Sequence, residues 1–257
     1  MESLKNKTVF ITGATSGIGK ACAEEFARAG SNLILCARRL ELLNSISEDI
    51  RKEFGVKVYD FQLDVRNRKA VEQAIDSLPE EWKNIDILVN NAGLAIGMSK
   101  FYEDNPDNWE PMIDTNVKGL LYVSRAVVPL MVKRNSGHII NMGSIAGQQA
   151  YPKGAVYCAT KHAVDAITKS LRMDLVETKI KVSSIDPGMV ETNFSVIRFE
   201  GDTEKARNVY KGLDPLVGKD IADTAVYIAS RPAHVVIADV VMYPVHQASA
   251  TISYKKV

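Results

Sequence analysis

The 257 residues are 46% hydrophobic and 25% charged, enough for one large α/β domain or two small ones. Lys and Arg total 32 against 31 Asp and Glu, a formal charge of +1, which leaves no electrostatic footprint for nucleic acid or an anionic membrane. Three scattered cysteines without C-x-x-C argue against a disulfide scaffold or zinc site, and no apolar run approaches the roughly 20 residues of a membrane span. The N-terminus lacks the apolar stretch of a secretory signal, so a cytoplasmic location is expected.

Short β-branched runs alternate with helical patterns. Thr8–Thr12 reads as a strand, 16–29 as a helix, 33–37 as the next strand and Leu40–Phe54 as the next helix. Residues 56–63 are strand-like and 69–78 return to helical spacing. Further buried strands are expected at 85–89 and 138–142, with a long helix between them, and again at 180–185 and 235–242. This alternation predicts a parallel sheet with helices on both faces, in one domain. The charged, weakly patterned stretch at about 190–218 reads as an excursion from the sheet.

Between the first strand and first helix stands Thr12-Gly13-Ala-Thr15-Ser16-Gly17-Ile18-Gly19. The glycines permit a tight turn and close approach to a pyrophosphate, which the helix N-terminus then meets with unpaired N–H groups. Three glycines before a helix are also ordinary loop chemistry; position after the first strand favours the phosphate reading. A dinucleotide site for NAD usually carries an acid about 20 residues on. Here the second strand ends at Arg38-Arg39, whose guanidinium groups suit a 2′-phosphate, so NADP is the expected cofactor. The alternative is that both arginines solvate the start of a helix.

Tyr157-Cys-Ala-Thr-Lys161 places a phenol and an ammonium on one helical face. A phenol is a poor base at its reference pKa near 10, and a neighbouring cation would favour its ionised form. Ser144 follows the strand at 138–142, where open parallel sheets present their ligand sites. It is placed either to bond a substrate oxygen or to cap a turn.

The ordered set of the Thr12 to Gly19 turn, Asp64, Asn90-Asn91-Ala92-Gly93, Asn116, Ser144, Tyr157 with Lys161, and Pro187-Gly188 with Thr192 resembles the short-chain dehydrogenase/reductase family over essentially the whole chain. The resemblance implies a single Rossmann-type, doubly wound sheet of about seven strands. It makes Tyr157 the general acid/base, with Ser144 orienting the carbonyl. Lys161 holds the nicotinamide ribose and Asn116 anchors a water that connects Lys161 to solvent. Gly13, Thr15, Ser16, Gly17, Ile18 and Gly19 form the cofactor turn, and Arg38 and Arg39 meet the 2′-phosphate. Asp64 and Val65 lie at the adenine, and Asn91, Ala92 and Gly93 on the adenosine side. Pro187, Gly188, Val190 and Thr192 flank the nicotinamide amide and pyrophosphate. Thr160 stands where many members carry Ser and retains the hydroxyl. A homotetramer or homodimer is implied as well.

The stretches from Gly143 to Pro152, from Val190 to Phe199 and from Pro244 to Ser249 are similar to NADP-dependent 3-hydroxy acid dehydrogenases, which include serine and allo-threonine dehydrogenases. That implies a small hydroxy acid substrate. Arg198 then either clamps its carboxylate or pairs with Glu200 or Glu204 on the surface, and Gln148 and Gln149 are lesser candidates for substrate contact. Other substrates of the same chemistry are a 3-ketoacyl thioester, a sugar or a steroid; a non-enzymatic NADPH sensor or scaffold is the third alternative. His138, His162, His234 and His246 show no ligand spacing, so no metal site is expected. Trp82 and Trp109 are read as packing residues.

Overall fold

The computed structural model describes residues 2–256. Its strands are β1 (Thr8–Thr12), β2 (Asn32–Ala37), β3 (Val58–Gln62), β4 (Ile87–Asn90), β5 (Gly137–Met142), β6 (Ile180–Pro187), β7 (Val190–Glu191), β8 (Leu216–Val217) and β9 (Asp239–Met242). The helices are α1 (Gly17–Arg28), α2 (Leu40–Phe54), α3 (Arg68–Asp76), α4 (Trp109–Ile113), α5 (Leu120–Arg134), α6 (Ala155–Asp174), α7 (Phe194–Arg198), α8 (Thr203–Tyr210) and α9 (Gly218–Ala229). The main sheet has the order β3-β2-β1-β4-β5-β6-β9, with every neighbouring pair parallel. This is the Rossmann-type order with a seventh strand, and its direction reverses between β1 and β4.

Strand periodicity assigns the two cores. In β1, Val9 and Ile11 join α1, α2 and α9 on one face, while Phe10 joins α3 and α5 on the other. The same alternation separates Leu33 and Leu35 from Ile34 and Cys36 in β2, and Ile87 and Val89 from Leu88 in β4. These strands are apolar on both sides because both faces are covered. Trp82 is packed in the second core, its ring 5.7 Å from that of Tyr59, and Trp109 stacks on Phe101.

Three features depart from the sequence reading. The strand expected over 235–242 begins only at Asp239, because Val235 N turns back to Pro232 O at 2.8 Å. Helix α9 was not expected; its Ile221, Ala222, Ala225 and Ile228 are buried against α1. The long helix between β4 and β5 is interrupted by a π-helical turn, Asp114–Gly119, which carries Asn116. The excursion is formed by β7, α7, α8 and β8, with β7 and β8 pairing only with each other among the described residues.

Candidate active site

The loops leaving the C-terminal ends of β1 to β6 meet around a cleft of about 650 Å³, within the usual range for a ligand site. After β1 come Gly13 and Thr15 to Ile18, after β2 Arg38 and Arg39, and after β3 Leu63 to Val65. After β4 come Asn91 to Leu94, after β5 Gly143 to Ala146, and after β6 Gly188 to Val190. Helix α6 adds Tyr157 and Lys161, and the excursion adds Thr192 and Arg198.

The cofactor end is built by lacing β1 to β4 across the point where strand order reverses. Thr12 Oγ1 accepts from Asn91 N at 3.1 Å and Ala92 N at 3.0 Å, while Asn91 Nδ2 donates to Thr12 O at 2.9 Å. Gly13 adopts φ +71°, a left-handed conformation that side chains disfavour. A Cβ on Gly19 would run into Asn91 Nδ2 and the Gly13 carbonyl, so the helix start closes on the turn only as glycine. Ser16 precedes α1 without a side-chain cap, leaving the first helical N–H groups to face the cleft. Arg39 Nη2 donates to Thr15 Oγ1 at 3.0 Å, which draws one guanidinium onto the turn, and Arg38 stands exposed beside it. These donors and cations fit the pyrophosphate and 2′-phosphate of NADP. Asp64 is gripped by Arg66 through two guanidinium nitrogens, at 2.9 and 2.6 Å. That bond first, with the charge of Arg38 adding, holds its carboxyl below the usual range.

At the other end, Tyr157 and Lys161 are buried on α6. Lys161 Nζ donates to Met142 O at 2.8 Å and lies 5.9 Å from the Tyr157 ring centroid. Burial pulls the Lys161 ammonium down to about 8, opposed by the charge of Asp186. The Tyr157 phenol is pushed up, by burial first and then Tyr151, while the Ser144 hydroxyl and the Arg198 charge pull the other way. In the protein without its cofactor, desolvation is the larger effect on this phenol. Ser144 Oγ accepts from Ala146 N at 3.1 Å and lies 3.5 Å from Pro187 O, so the cap role and a place in the cleft coexist. Asn116 braces the site, with Oδ1 accepting from Leu94 N and Nδ2 donating to Leu94 O and Thr160 Oγ1.

Arg198 sits where α7 ends, its guanidinium 5.5 Å from the Tyr151 ring centroid and 5.6 Å from that of Tyr157. Nη2 donates to Tyr151 Oη at 3.1 Å, and the buried Nε has no partner among the described residues. The alternative surface pairing with Glu200 or Glu204 is not formed; the nearby pair is Lys205 with Asp202.

Residues 7–202 match the family described as short chain dehydrogenase. The chain belongs to that family. A Schizosaccharomyces pombe protein named NADP-dependent 3-hydroxy acid dehydrogenase is 45% identical over 257 residues, spanning 100% of this chain and 99% of the relative. Sulfoacetaldehyde reductase 2 of Chromohalobacter salexigens is 43% identical over 241 residues, spanning 93% of this chain and 95% of the relative. Among solved structures, a closed form of serine dehydrogenase complexed with NADP+ superposes with a TM-score of 0.90 at 45% identity, covering 97% of this chain and 100% of that one.

In this short-chain dehydrogenase the expected residues converge with few exceptions. Gly19 and Asn116 lie behind the cleft as braces rather than in its lining. Gln148, offered as a substrate contact, is exposed and donates to Asp186 Oδ2 at 3.2 Å. Gln149 is spent on Ala250 N. Sequence reasoning gave no individual role to Tyr151, Phe194, Tyr210 or Gln247. Phe194 packs edge-on to Tyr157 at 5.7 Å, Tyr210 Oη donates to Val190 O at 2.8 Å, and Gln247 Oε1 accepts from Met189 N at 2.8 Å. Tyr151, Phe194 and Gln247 fall in the three stretches that resemble 3-hydroxy acid dehydrogenases, which was the signal for them; Tyr210 had none.

Proposed function

We propose that the chain is a single-domain NADP-dependent dehydrogenase that interconverts the 3-hydroxyl and 3-oxo forms of a small hydroxy acid such as serine, allo-threonine or 3-hydroxypropionate. The observation that carries the substrate is Arg198, a half-buried guanidinium beside Tyr157 with an unpartnered Nε. A buried donor without an acceptor is costly, and a carboxylate would satisfy it. The named relatives support this: 3-hydroxy acids and sulfoacetaldehyde both carry an anionic head close to the reacting carbon.

NADP, when bound, supplies the hydride chemistry at the substrate carbon. Tyr157 exchanges the proton at the substrate oxygen, Ser144 hydrogen-bonds that oxygen, and Arg198 fixes the acid head so that the carbon has one orientation. Lys161 and the Gly13 to Ile18 turn hold the ribose and pyrophosphate, and Arg38 and Arg39 select the 2′-phosphate. A cytoplasmic homotetramer or homodimer is the expected assembly. Leu121 and Val132, exposed on α5, support packing between helices of two copies, and no helix among the described residues is long and apolar enough to cross a membrane.

The test is NADP-linked oxidation of the three hydroxy acids, with NAD as control. One charge-assisted bond of about 1.5–3 kcal/mol gives NADP roughly a ten- to hundred-fold advantage, which Arg38→Ala narrows. Arg198→Ala raises KM for hydroxy acids by a similar factor without changing NADP affinity. An unchanged KM removes the carboxylate clamp from the account.

A further inference from the structure

Asp186, the residue before Pro187, is a buried carboxyl on β6. Ile185 beside it points into the core shared with α1 and α9, so strand alternation turns Asp186 to the opposite side, where Leu171 of α6 packs. The carboxyl is held in place: Ser184 Oγ donates to Oδ1 at 2.7 Å and Gln148 Nε2 to Oδ2 at 3.2 Å. Gly143 makes room for it, since a Cβ there would collide with Oδ1. The preceding residue, Met142, is the one whose carbonyl accepts from Lys161 Nζ at 2.8 Å, and Gly143 N donates to Ile185 O at 2.8 Å. Acid and ammonium are thus brought against the same two residues, one from β6 and the other from α6.

Lys161 needs such a neighbour. It is buried, its acceptor is a neutral carbonyl, and an ammonium without a counter-charge is costly away from water. Burial works against its charged form, and the charge that works for it is that of Asp186. The surrounding charges are engaged elsewhere. Asp165 is tied to Lys169 at 2.8 Å within α6, and Asp239 of β9 to Arg172 at 3.1 Å. Arg198 lies over the Tyr157 ring and bonds Tyr151. Burial also raises the Asp186 carboxyl, with Asp239 and Asp165 adding, so the hydrogen bonds from Ser184 and Gln148 are what favour its ionised form.

We propose that Asp186 is a positioning residue of the cofactor site: as the buried counter-charge of Lys161 it keeps the ammonium ready for the nicotinamide ribose, and Gln148 holds the carboxylate to that task. Gln148 then serves the cofactor through Asp186 and not the substrate. The proposal rests on the reading of Lys161 as the residue that grips the ribose, and is independent of which hydroxy acid is used.

NADPH affinity, read from nicotinamide fluorescence of the full-length protein across neutral and alkaline pH, tests it. The wild type is expected to lose affinity in a step near pH 8, where Lys161 gives up its proton. Lys161→Met is expected to bind more weakly and without that step. Asp186→Asn keeps the shape and removes the charge. It is expected to move the step down by about one pH unit, with affinity below the step within about twofold of wild type. A merely structural role would weaken binding at every pH and leave the step in place. Gln148→Ala, at an exposed position, is expected to move the step the same way by less, and it decides the matter should Asp186→Asn fail to fold. A step that survives Lys161→Met removes Lys161 from the ribose and the proposal with it. A step lost in Lys161→Met yet unmoved in Asp186→Asn and Gln148→Ala overturns the counter-charge alone.

Discussion

Tyr157 is held between opposed influences. Burial raises its phenol, while Ser144 and Arg198 draw it down. A neutral, buried phenol is ready to give its proton to a carbonyl oxygen, and each cation brought near it eases the reverse transfer. Tyr157→Phe removes that proton and little else. Turnover should fall by about a hundred- to ten-thousand-fold with NADPH affinity preserved; near-normal turnover would remove Tyr157 from the mechanism. Tyr157, Lys161 and Ser144 were legible because their spacing and place after a strand are local properties. Tyr151 and Gln247 were not, since each acquires its role from a partner 47 or 58 residues away.

Elements show the same division. Strands β1, β2 and β4 announced themselves through short apolar runs covered on both faces. Helix α9 did not, because Ala222, Ala225 and Ala229 carry much of its buried face and alanine gives a weak periodic signal. The small side chains let α9 lie close to α1, which in turn offers Ala23 and Ala27. At the start of α1 the closeness is tighter still. Gly19→Ala would push a methyl into Asn91 Nδ2 and the Gly13 carbonyl, unlacing β1 from β4. About 1–3 kcal/mol of stability and about tenfold or more in NADPH affinity should be lost. Thermal unfolding and NADPH titration measure both, and an unshifted affinity would separate the lacing from cofactor binding.

Across the whole molecule, pH couples to the fold through His138. It is buried on β5, with Nε2 2.8 Å from Ser183 Oγ, and the Ser183 hydroxyl donates onward to Ile237 O at 2.7 Å. Nε2 therefore donates, and the imidazole is neutral. Burial, with the charge of Lys181, pulls its pKa from 6.5 down to about 3. Between those values the unfolded chain binds a proton that the folded chain refuses, so stability falls as pH drops below about 6.5, by up to about 1.4 kcal/mol per unit. His138→Gln abolishes this component. Unfolding midpoints from pH 7 to pH 4 should decline less steeply in the variant, and parallel curves would refute the assignment.

Composition and periodicity by themselves determined the parallel α/β architecture, the phosphate turn, the paired arginines and the tyrosine–lysine helix face, because each is written in neighbouring residues. Tertiary structure alone decided that Arg198 stands beside Tyr157 rather than pairing with Glu200 or Glu204, that Gln148 reaches Asp186, and that Gln247, Ala250 and Ser253 border the cleft. Those outcomes depend on which distant loops the sheet brings together, and on the cost of leaving a buried donor without an acceptor.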